Sequence, residues 1–218
     1  MKTLSCGRIF AAILLIFALA LGFTPTAKAT SLGEGGLVVA GDANGAGTGT
    51  QIGATVTSSF SMPGISGDVL SQLHDFGAYR EAWYLISVDV SSVGSITRFT
   101  IGGWGPFTTD VYDRTDVGGG TQRSTNVDRT AGVVGFNTGP VTADKINPGE
   151  DGAWFIIRTN ATLDRFGLVS SSVIDGGIDD ALVIGIAEVP ETMTLLLTGG
   201  GLLGLAFMRR RKVVITTG

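Results

Sequence analysis

Residues 83–90 run Trp83-Tyr84-Leu85-Ile86-Ser87-Val88-Asp89-Val90, and this stretch decides the fold class. Every second residue from Tyr84 to Val90 is apolar, so an extended chain gathers these side chains on one side of a strand. A second stretch, residues 52–60, alternates in the same way, with small polar residues opposite the apolar set. That apolar set is Ile52, Ala54, Val56 and Phe60. Period-two alternation of this length predicts half-buried strands of an antiparallel sheet.

Six further segments have the length and composition of strands, and each is bounded by Gly, Pro, Asn or Asp. They are residues 37–40, 95–101, 131–136, 154–159, 166–174 and 181–189. Many short strands separated by turn signals predict an all-β domain, built as an antiparallel β-sandwich or jelly roll. Two segments are interpreted differently. A brief helix is expected at residues 68–81, and residues 108–130, which are charged and rich in Thr and Gly, are expected to form a long exposed loop or a poorly ordered excursion.

The N-terminal residues 1–29 have the three parts of a secretory signal peptide. Lys2 and Arg8 give it a basic start, and residues 9–23 form an apolar core. Ala27 and Ala29 then place small residues at the two positions that signal peptidase inspects. The pattern predicts cleavage after Ala29 and a mature chain that begins at Thr30. An uncleaved N-terminal membrane helix is the alternative.

The C-terminal residues 189–218 combine an apolar run with a cluster of cations. The run covers residues 193–208, and Arg209, Arg210, Arg211 and Lys212 follow it. A helix rises about 1.5 Å per residue, so this run is just long enough to cross a bilayer core of about 30 Å. Cations behind such a helix stay on the cytoplasmic side, and everything before residue 189 is expected to face outward. Residues 30–188 would then form one exported domain.

Charge and cysteine content limit what this exported domain can do. Residues 30–208 carry eight Lys or Arg and all 19 Asp and Glu, which gives a net charge of −11. Nucleic acid is therefore an unsuitable partner, because neutralising phosphates requires cations. The single cysteine, Cys6, lies within the signal peptide. The exported domain is thus expected to hold together by burial alone, without disulfides or thiolate metal sites.

The order of parts in the tail is specific. Val189-Pro190-Glu191-Thr192 comes first, a Gly-rich apolar segment follows, and the basic cluster at residues 209–212 comes third, with a short extension of residues 213–218 after it. In this order the tail resembles the PEP-CTERM sorting tail. The resemblance implies processing by an exosortase, a membrane-embedded cysteine protease-like transpeptidase that removes the helix. It also implies transient anchoring in the inner membrane of a Gram-negative bacterium and delivery to the cell surface or extracellular matrix.

One position of the motif departs from the family pattern. Thr192 stands where the family usually has a second proline, which would keep its predecessor extended. With Thr192 only Pro190 imposes that restraint. The alternative to sorting is an ordinary single-pass anchor that is never processed, in which Gly200 and Gly204 would pack helices together.

No catalytic constellation is visible in the exported domain, and we expect it not to be an enzyme. His74 is the only histidine, and neither a Gly-x-Ser-x-Gly nor a His-Glu-x-x-His motif occurs. A hydrolase with paired carboxylates, such as Asp175 with Asp179 or Glu150 with Asp151, remains a lower-ranked alternative.

Three groups of acidic residues were weighed as calcium sites, because Ca²⁺ takes several carboxylate and carbonyl oxygens. Their ligand sets are incomplete, and Asp and Gly favour turns for backbone reasons alone. No cofactor is therefore expected, with calcium as the alternative. The groups are Asp42 with Asn44; Asp110, Asp113 and Asp116; and Asp175, Asp179 and Asp180.

Aromatic side chains could also stack on sugar rings. Trp83 and Trp154 lie in apolar strands and are expected in the core, whereas Trp104 is flanked by glycines and followed closely by Pro106. Those neighbours suggest an exposed loop, so Trp104 is the candidate ligand residue. The sequence as a whole predicts an exported, noncatalytic surface or matrix protein associated with exopolysaccharide, floc or biofilm. A carbohydrate- or calcium-binding adhesin module is the alternative.

Overall fold

A computed structural model describes residues 29–139, 145–175 and 177–187. Ala27, the motif Val189 to Thr192 and the cations Arg209 to Lys212 lie outside the described residues. Within the described part, none of the helical structure is long and apolar enough to cross a membrane. The one helical element there is a 3-10 turn, Leu163–Arg165.

Thirteen strands make up the described part, and the prediction of an all-β chain with antiparallel sheets is confirmed. They are β1 (Thr30–Ser31), β2 (Leu37–Val38), β3 (Gly41–Asp42), β4 (Thr50–Met62), β5 (Ile65–Asp75), β6 (Arg80–Val88), β7 (Arg98–Ile101), β8 (Thr109–Arg114), β9 (Asn126–Thr130), β10 (Val133–Asn137), β11 (Trp154–Thr159), β12 (Phe166–Ile174) and β13 (Ile178–Ile186).

The strands form two sheets. The first sheet has the order β1-β8-β11-β6-β5-β4, and β3 also pairs with β8, in parallel. The second sheet has the order β13-β12-β7-β10-β9-β2. All other pairings between strands are antiparallel, as expected for short strands joined by tight turns.

The inner faces of the two sheets share one apolar core. Phe136 of the second sheet stacks on Phe155 of the first, with ring centroids 5.0 Å apart, and Phe99 packs against Tyr84 at 5.5 Å. The Tyr84 hydroxyl also donates a hydrogen bond of 2.7 Å to the carbonyl of Ile184. These aromatic contacts tie the two sheets together at the centre of the core.

The outer face of the first sheet is buried as well. Trp83, Tyr112, Trp154 and Ile156 form a second apolar cluster there, and Ala43 packs against it. Two loops, residues 42–49 and 115–125, contribute to this cover, and the carbonyl of Gly118 accepts a hydrogen bond from the Trp154 indole. Strand β6 consequently has both of its faces buried, and residues 81–86 are all shielded from water.

Two sequence predictions are wrong. Residues 68–75 belong to β5 and residues 80–81 begin β6, with a turn of four residues between them, so no helix forms there. Val69 and Leu73 point into the core while Gln72 lies on the opposite face, so the segment follows the period of a strand. Residues 108–130 likewise contain β8 and β9 where a loop was expected.

Candidate functional site

Trp104 is buried, with none of its surface exposed, so its predicted place in an exposed loop is wrong. Its main-chain N–H donates to the carbonyl of Gly132 at 2.9 Å, and its carbonyl accepts from the Arg129 guanidinium at 2.5 Å. Arg129 is itself buried and also bonds the carbonyls of Gly105 and Phe107. The segment after β7 is therefore fixed against the body, and Trp104 is a core residue.

The acidic trio of Asp175, Asp179 and Asp180 does not converge. Asp175 accepts from the main chain of Ser95 at 3.2 Å, and Asp179 accepts from the main chain of Ser61 at 2.6 Å. Asp180 accepts instead from the hydroxyl of Ser172, on the neighbouring strand β12, at 2.9 Å. Throughout residues 29–139, 145–175 and 177–187, no three His, Cys, Asp or Glu side chains come together as metal ligands would.

The other acidic candidates also have separate local partners. Asp42 accepts from the main-chain N–H of Asn44 at 2.9 Å, which is the turn that its sequence suggested. Asp110 and Asp113 lie on opposite faces of β8, because the strand alternates. Asp116 pairs with Arg114 at 2.6 Å.

The described part instead gathers charged and aromatic side chains on the outer face of the first sheet. The strand register accounts for the gathering, since His74 lies opposite Glu81 and Glu81 lies opposite Arg158. One row of residues further along this face of the sheet, Trp83 lies opposite Ile156 on one side and Tyr112 lies opposite it on the other. We call His74, Glu81, Trp83, Tyr112 and Arg158 the Glu81 cluster.

Glu81 is the centre of this cluster and is only 1% exposed. Its Oε2 accepts a hydrogen bond from Trp83 Nε1 at 3.0 Å. Its Oε1 accepts from the Tyr112 hydroxyl and from Nε and Nη2 of Arg158, at 3.1 Å and 3.0 Å for the two nitrogens. Burial raises the pKa of Glu81, while the Trp83 hydrogen bond and the Arg158 charge act to lower it.

Arg158 connects the buried carboxylate to the surface. Its side chain is 20% exposed, and its guanidinium lies 4.0 Å from the ring centre of Tyr79 and 5.2 Å from that of Tyr112. A guanidinium at this distance from an aromatic face is held by cation–π attraction as well as by its ion pair. Arg158 and Tyr79 both reach water.

His74 links the cluster to the loop of residues 42–49. Its ring stacks on Trp83 with 4.2 Å between centroids, and its Nδ1 lies 2.7 Å from the carbonyl of Thr48. Because a carbonyl can only accept, Nδ1 carries the hydrogen and donates it. Burial lowers the pKa of His74, and the hydrogen bond to Thr48 partly opposes that effect.

Arg114 holds the same loop from the neighbouring strand. It donates to the carbonyls of Ala46 and Gly47 at 2.6 Å and 3.1 Å, and its guanidinium lies 5.4 Å from the Trp83 ring. The polar groups of the cluster therefore bond to one another and to a covering loop. The arrangement can order the loop and present one cation beside an aromatic ring, but it places no activated nucleophile at the surface.

A second buried carboxylate, Asp113, lies on the inner face of β8. It accepts hydrogen bonds from the main-chain N–H and the hydroxyl of Ser124, both at 2.8 Å for Oδ2. Burial raises the pKa of Asp113 to about 7, against an ordinary value of 3.8. This group changes charge near neutral pH, which makes the protein's stability sensitive to pH.

The sequence analysis did not predict that Glu81, Tyr112 and Arg158 contact one another. One sequence pattern does indicate a buried ion pair, since Glu81 and Arg158 each lie near one end of a mainly apolar strand. A charge in such a place is buried only when it is paired. The sequence could have suggested two paired charges, although which strands are neighbours depends on the fold.

The comparisons with known proteins give no family for this chain. No protein-family model, curated protein sequence or solved structure matches it.

Proposed function

We propose that this chain is an exported, noncatalytic protein of the cell surface or extracellular matrix, sorted by an exosortase through its C-terminal tail. On this proposal signal peptidase cuts after Ala29 and exosortase removes residues beyond the Pro190-Glu191 motif. The exported domain is a β-sandwich that associates with exopolysaccharide in floc or biofilm. The host would be a Gram-negative bacterium, and the chain would be held in its inner membrane only briefly.

The observation that carries the proposal is the order of parts in residues 189–212. A Pro-Glu motif, one apolar run of minimal spanning length and a cluster of four cations follow one another within residues 190–212, and residues 213–218 come after the cations. An ordinary anchor requires the apolar run and the cations only. The Pro-Glu motif in front of them is the part that favours sorting over anchoring.

The end of the described body is compatible with this order. Strand β13 ends at Ile186, so Ala187 and Glu188 alone separate the last strand from the motif. An acidic domain without cysteine suits an exported polymer layer, where solubility and independence from thiol chemistry are useful. The noncatalytic part of the proposal is based on the sequence of residues 30–188, which contains no recognisable catalytic motif.

The test compares two changes in the tail. In the first variant, Pro190→Ala with Glu191→Ala removes the motif but keeps the apolar run and the cations. In the matched control, residues 213–218 are deleted, which shortens the tail but keeps motif, run and cations. Each chain is expressed in a host that has an exosortase, and its distribution between inner membrane and cell surface is measured.

We expect the motif variant to accumulate in the inner membrane and the control to reach the surface like the parent chain. Equal distribution of the two variants would show that the motif is not recognised, and retention of both in the inner membrane would show a plain single-pass anchor. Loss of floc or biofilm in the motif variant alone would further support a role in the matrix.

A further inference from the structure

Strand β4 has the longest edge of the sheets in the described part of the chain. It covers thirteen residues, Thr50–Met62, and pairs on one side with β5. The opposite border of the first sheet is made by β1 and β3, and the second sheet is bordered on one side by β2, each of two residues. Short edges of this kind offer little to an approaching strand.

The remaining edge, that of β13, is closed by side chains of the first sheet. The main-chain N–H of Leu182 donates to the hydroxyl of Ser58 at 3.0 Å, and that of Ile184 donates to the hydroxyl of Ser71 at 2.9 Å. The Ile184 carbonyl accepts from Tyr84. The groups that another strand would need are therefore already bonded.

The edge of β4 is different, because side chains close it at one end only. The main-chain N–H of Ser61 donates to the Asp179 carboxylate at 2.6 Å, which shows that Ser61 directs its N–H away from β5. In an antiparallel strand every second residue points its N–H to the same side. Thr57 and Ser59 thus direct their main-chain groups outward, and both residues are exposed.

Features that usually protect an edge occur only towards the two ends of β4, where Pro63 follows the strand and the pairing is irregular between Ile52 and Val56. Charged side chains and proline discourage edge-to-edge pairing, and no charged residue occurs between Asp42 and Asp68. A register irregularity between Ile52 and Val56, with Gly53 at a φ of 74°, interrupts the upper half of β4. Because the Asp179 carboxylate already accepts from Ser61, residues 56–60 remain as the regular edge that carries no charged side chain.

Apolar side chains of β13 lie next to the edge. Ile178 is 69% exposed and Leu182 is 53% exposed, and the contacts of Asp179 with Ser61 and of Leu182 with Ser58 place this strand beside β4. An approaching strand would therefore gain apolar contacts in addition to main-chain hydrogen bonds.

We propose that the β4 edge, together with Ile178 and Leu182, is a self-association surface on which β4 of a second copy pairs antiparallel. Residues 30–208 carry a net charge of −11, so two copies repel each other over most of their surfaces. The uncharged edge is where two copies meet with least repulsion. An antiparallel two-fold pairing places the same segment against itself and satisfies the outward N–H groups of both copies. The surface does not depend on how the tail is sorted.

The first test is site-directed cross-linking of the full chain in mild detergent. Cys6→Ser removes the natural thiol, and Thr57→Cys then places one thiol on the proposed edge. Thr130→Cys is the matched control, because Thr130 is also an exposed threonine on a strand, in the second sheet. With a short bismaleimide we expect several-fold more cross-linked dimer from Thr57→Cys. Equal yields, which association through the tail would produce, would overturn the proposal.

The second test measures association directly by sedimentation over a range of concentrations. Thr57→Lys places a positive charge on the proposed edge of each copy, so like charges approach when the two edges pair, which should raise the dissociation constant about tenfold or more. Thr130→Lys adds the same charge elsewhere and should leave the constant close to that of the parent chain. Circular dichroism would establish that both variants are folded. A folded Thr57→Lys chain that associates like the Thr130→Lys control would refute the proposal.

Discussion

Arg158 and Glu81 form an ion pair on a face of the first sheet that loops cover, with 3.0 Å between Arg158 Nη2 and Glu81 Oε1. The carboxylate is almost fully buried, whereas the guanidinium reaches water beside Tyr79. A buried charge is tolerated only while it is paired and hydrogen-bonded. Stability of the covered outer face of the first sheet therefore depends on this ion pair between β6 and β11.

Removing the Arg158 guanidinium should destabilise the protein. We expect Arg158→Ala to lower the free energy of unfolding by about 2–3 kcal/mol, because it leaves the Glu81 carboxylate buried and unpaired. Adding Glu81→Gln to this variant should restore part of the loss. Denaturant unfolding of the purified protein measures both. Arg165→Ala, at an exposed position on the 3-10 turn, is the control and should cost about 0.5 kcal/mol or less. Equal losses for the two arginines would contradict the buried pairing.

Asp113 should make stability fall as pH rises. Its pKa in the folded chain is about 7, above the ordinary value of 3.8, so between these values the folded chain binds more protons than the unfolded chain. The contribution of Asp113 to stability is then largest below pH about 4 and declines towards pH about 7, by an amount on the order of a few kcal/mol. Asp113→Asn removes the titrating group. The difference in unfolding free energy between variant and parent should therefore shift in favour of the variant from pH 4 to pH 8. A difference independent of pH would contradict the raised pKa.

Two adjacent glycines should respond very differently to alanine. Gly103 has a φ of 89°, and a Cβ there would lie 2.2 Å from the carbonyl oxygen of Ile186. We expect Gly103→Ala to cost about 2–4 kcal/mol, because both the strain and the backbone contact must be relieved by movement. Gly102 has no atom within 4 Å of such a Cβ, so Gly102→Ala should change stability by about 0.5 kcal/mol or less. Thermal unfolding of both variants tests this difference. Similar melting temperatures for the two variants would contradict the prediction.

If an exosortase processes the chain as proposed, Thr192 should limit that processing. Thr192→Pro would keep residue 191 extended and would stop a helix formed by residues 193–208 from continuing into the Pro-Glu motif. We expect a larger processed fraction of the chain at steady state, measured as the ratio of processed to full-length protein on a gel. Thr194→Pro is the control, because it adds a proline within the apolar run and leaves the motif unchanged. An increase for the control alone would contradict the role given to Thr192.

The strands that sequence predicted best are those with strong apolar runs. β11 and β12 have the expected bounds, Trp154–Thr159 and Phe166–Ile174, because turn-forming residues limit them on both sides. The helix expected at residues 68–81 failed for a different reason. Polar residues such as Gln72 and His74 interrupt the apolar pattern there, and they are accommodated because a loop covers them. No local sequence pattern predicts that a loop covers this face of the sheet.

The candidate site illustrates the same limit. The glycines around Trp104 suggested an exposed loop, but in the fold Gly103 allows the close approach to Ile186 that accompanies burial of the indole. Burial of Trp83 and Trp154 was expected from their apolar neighbours and is confirmed. Pairing of Glu81 with Arg158 joins residues 77 positions apart, and it follows from strand order, which the sequence alone does not supply.

The account depends most on the removal of the tail, and mass spectrometry of the C-terminal peptide tests that directly. The measurement is made on protein recovered from the cell surface of a host with an exosortase. The account predicts a C-terminus close to the Pro190-Glu191 motif, with Arg209 to Lys212 absent. Surface protein that still carries Arg209 to Gly218 would contradict it.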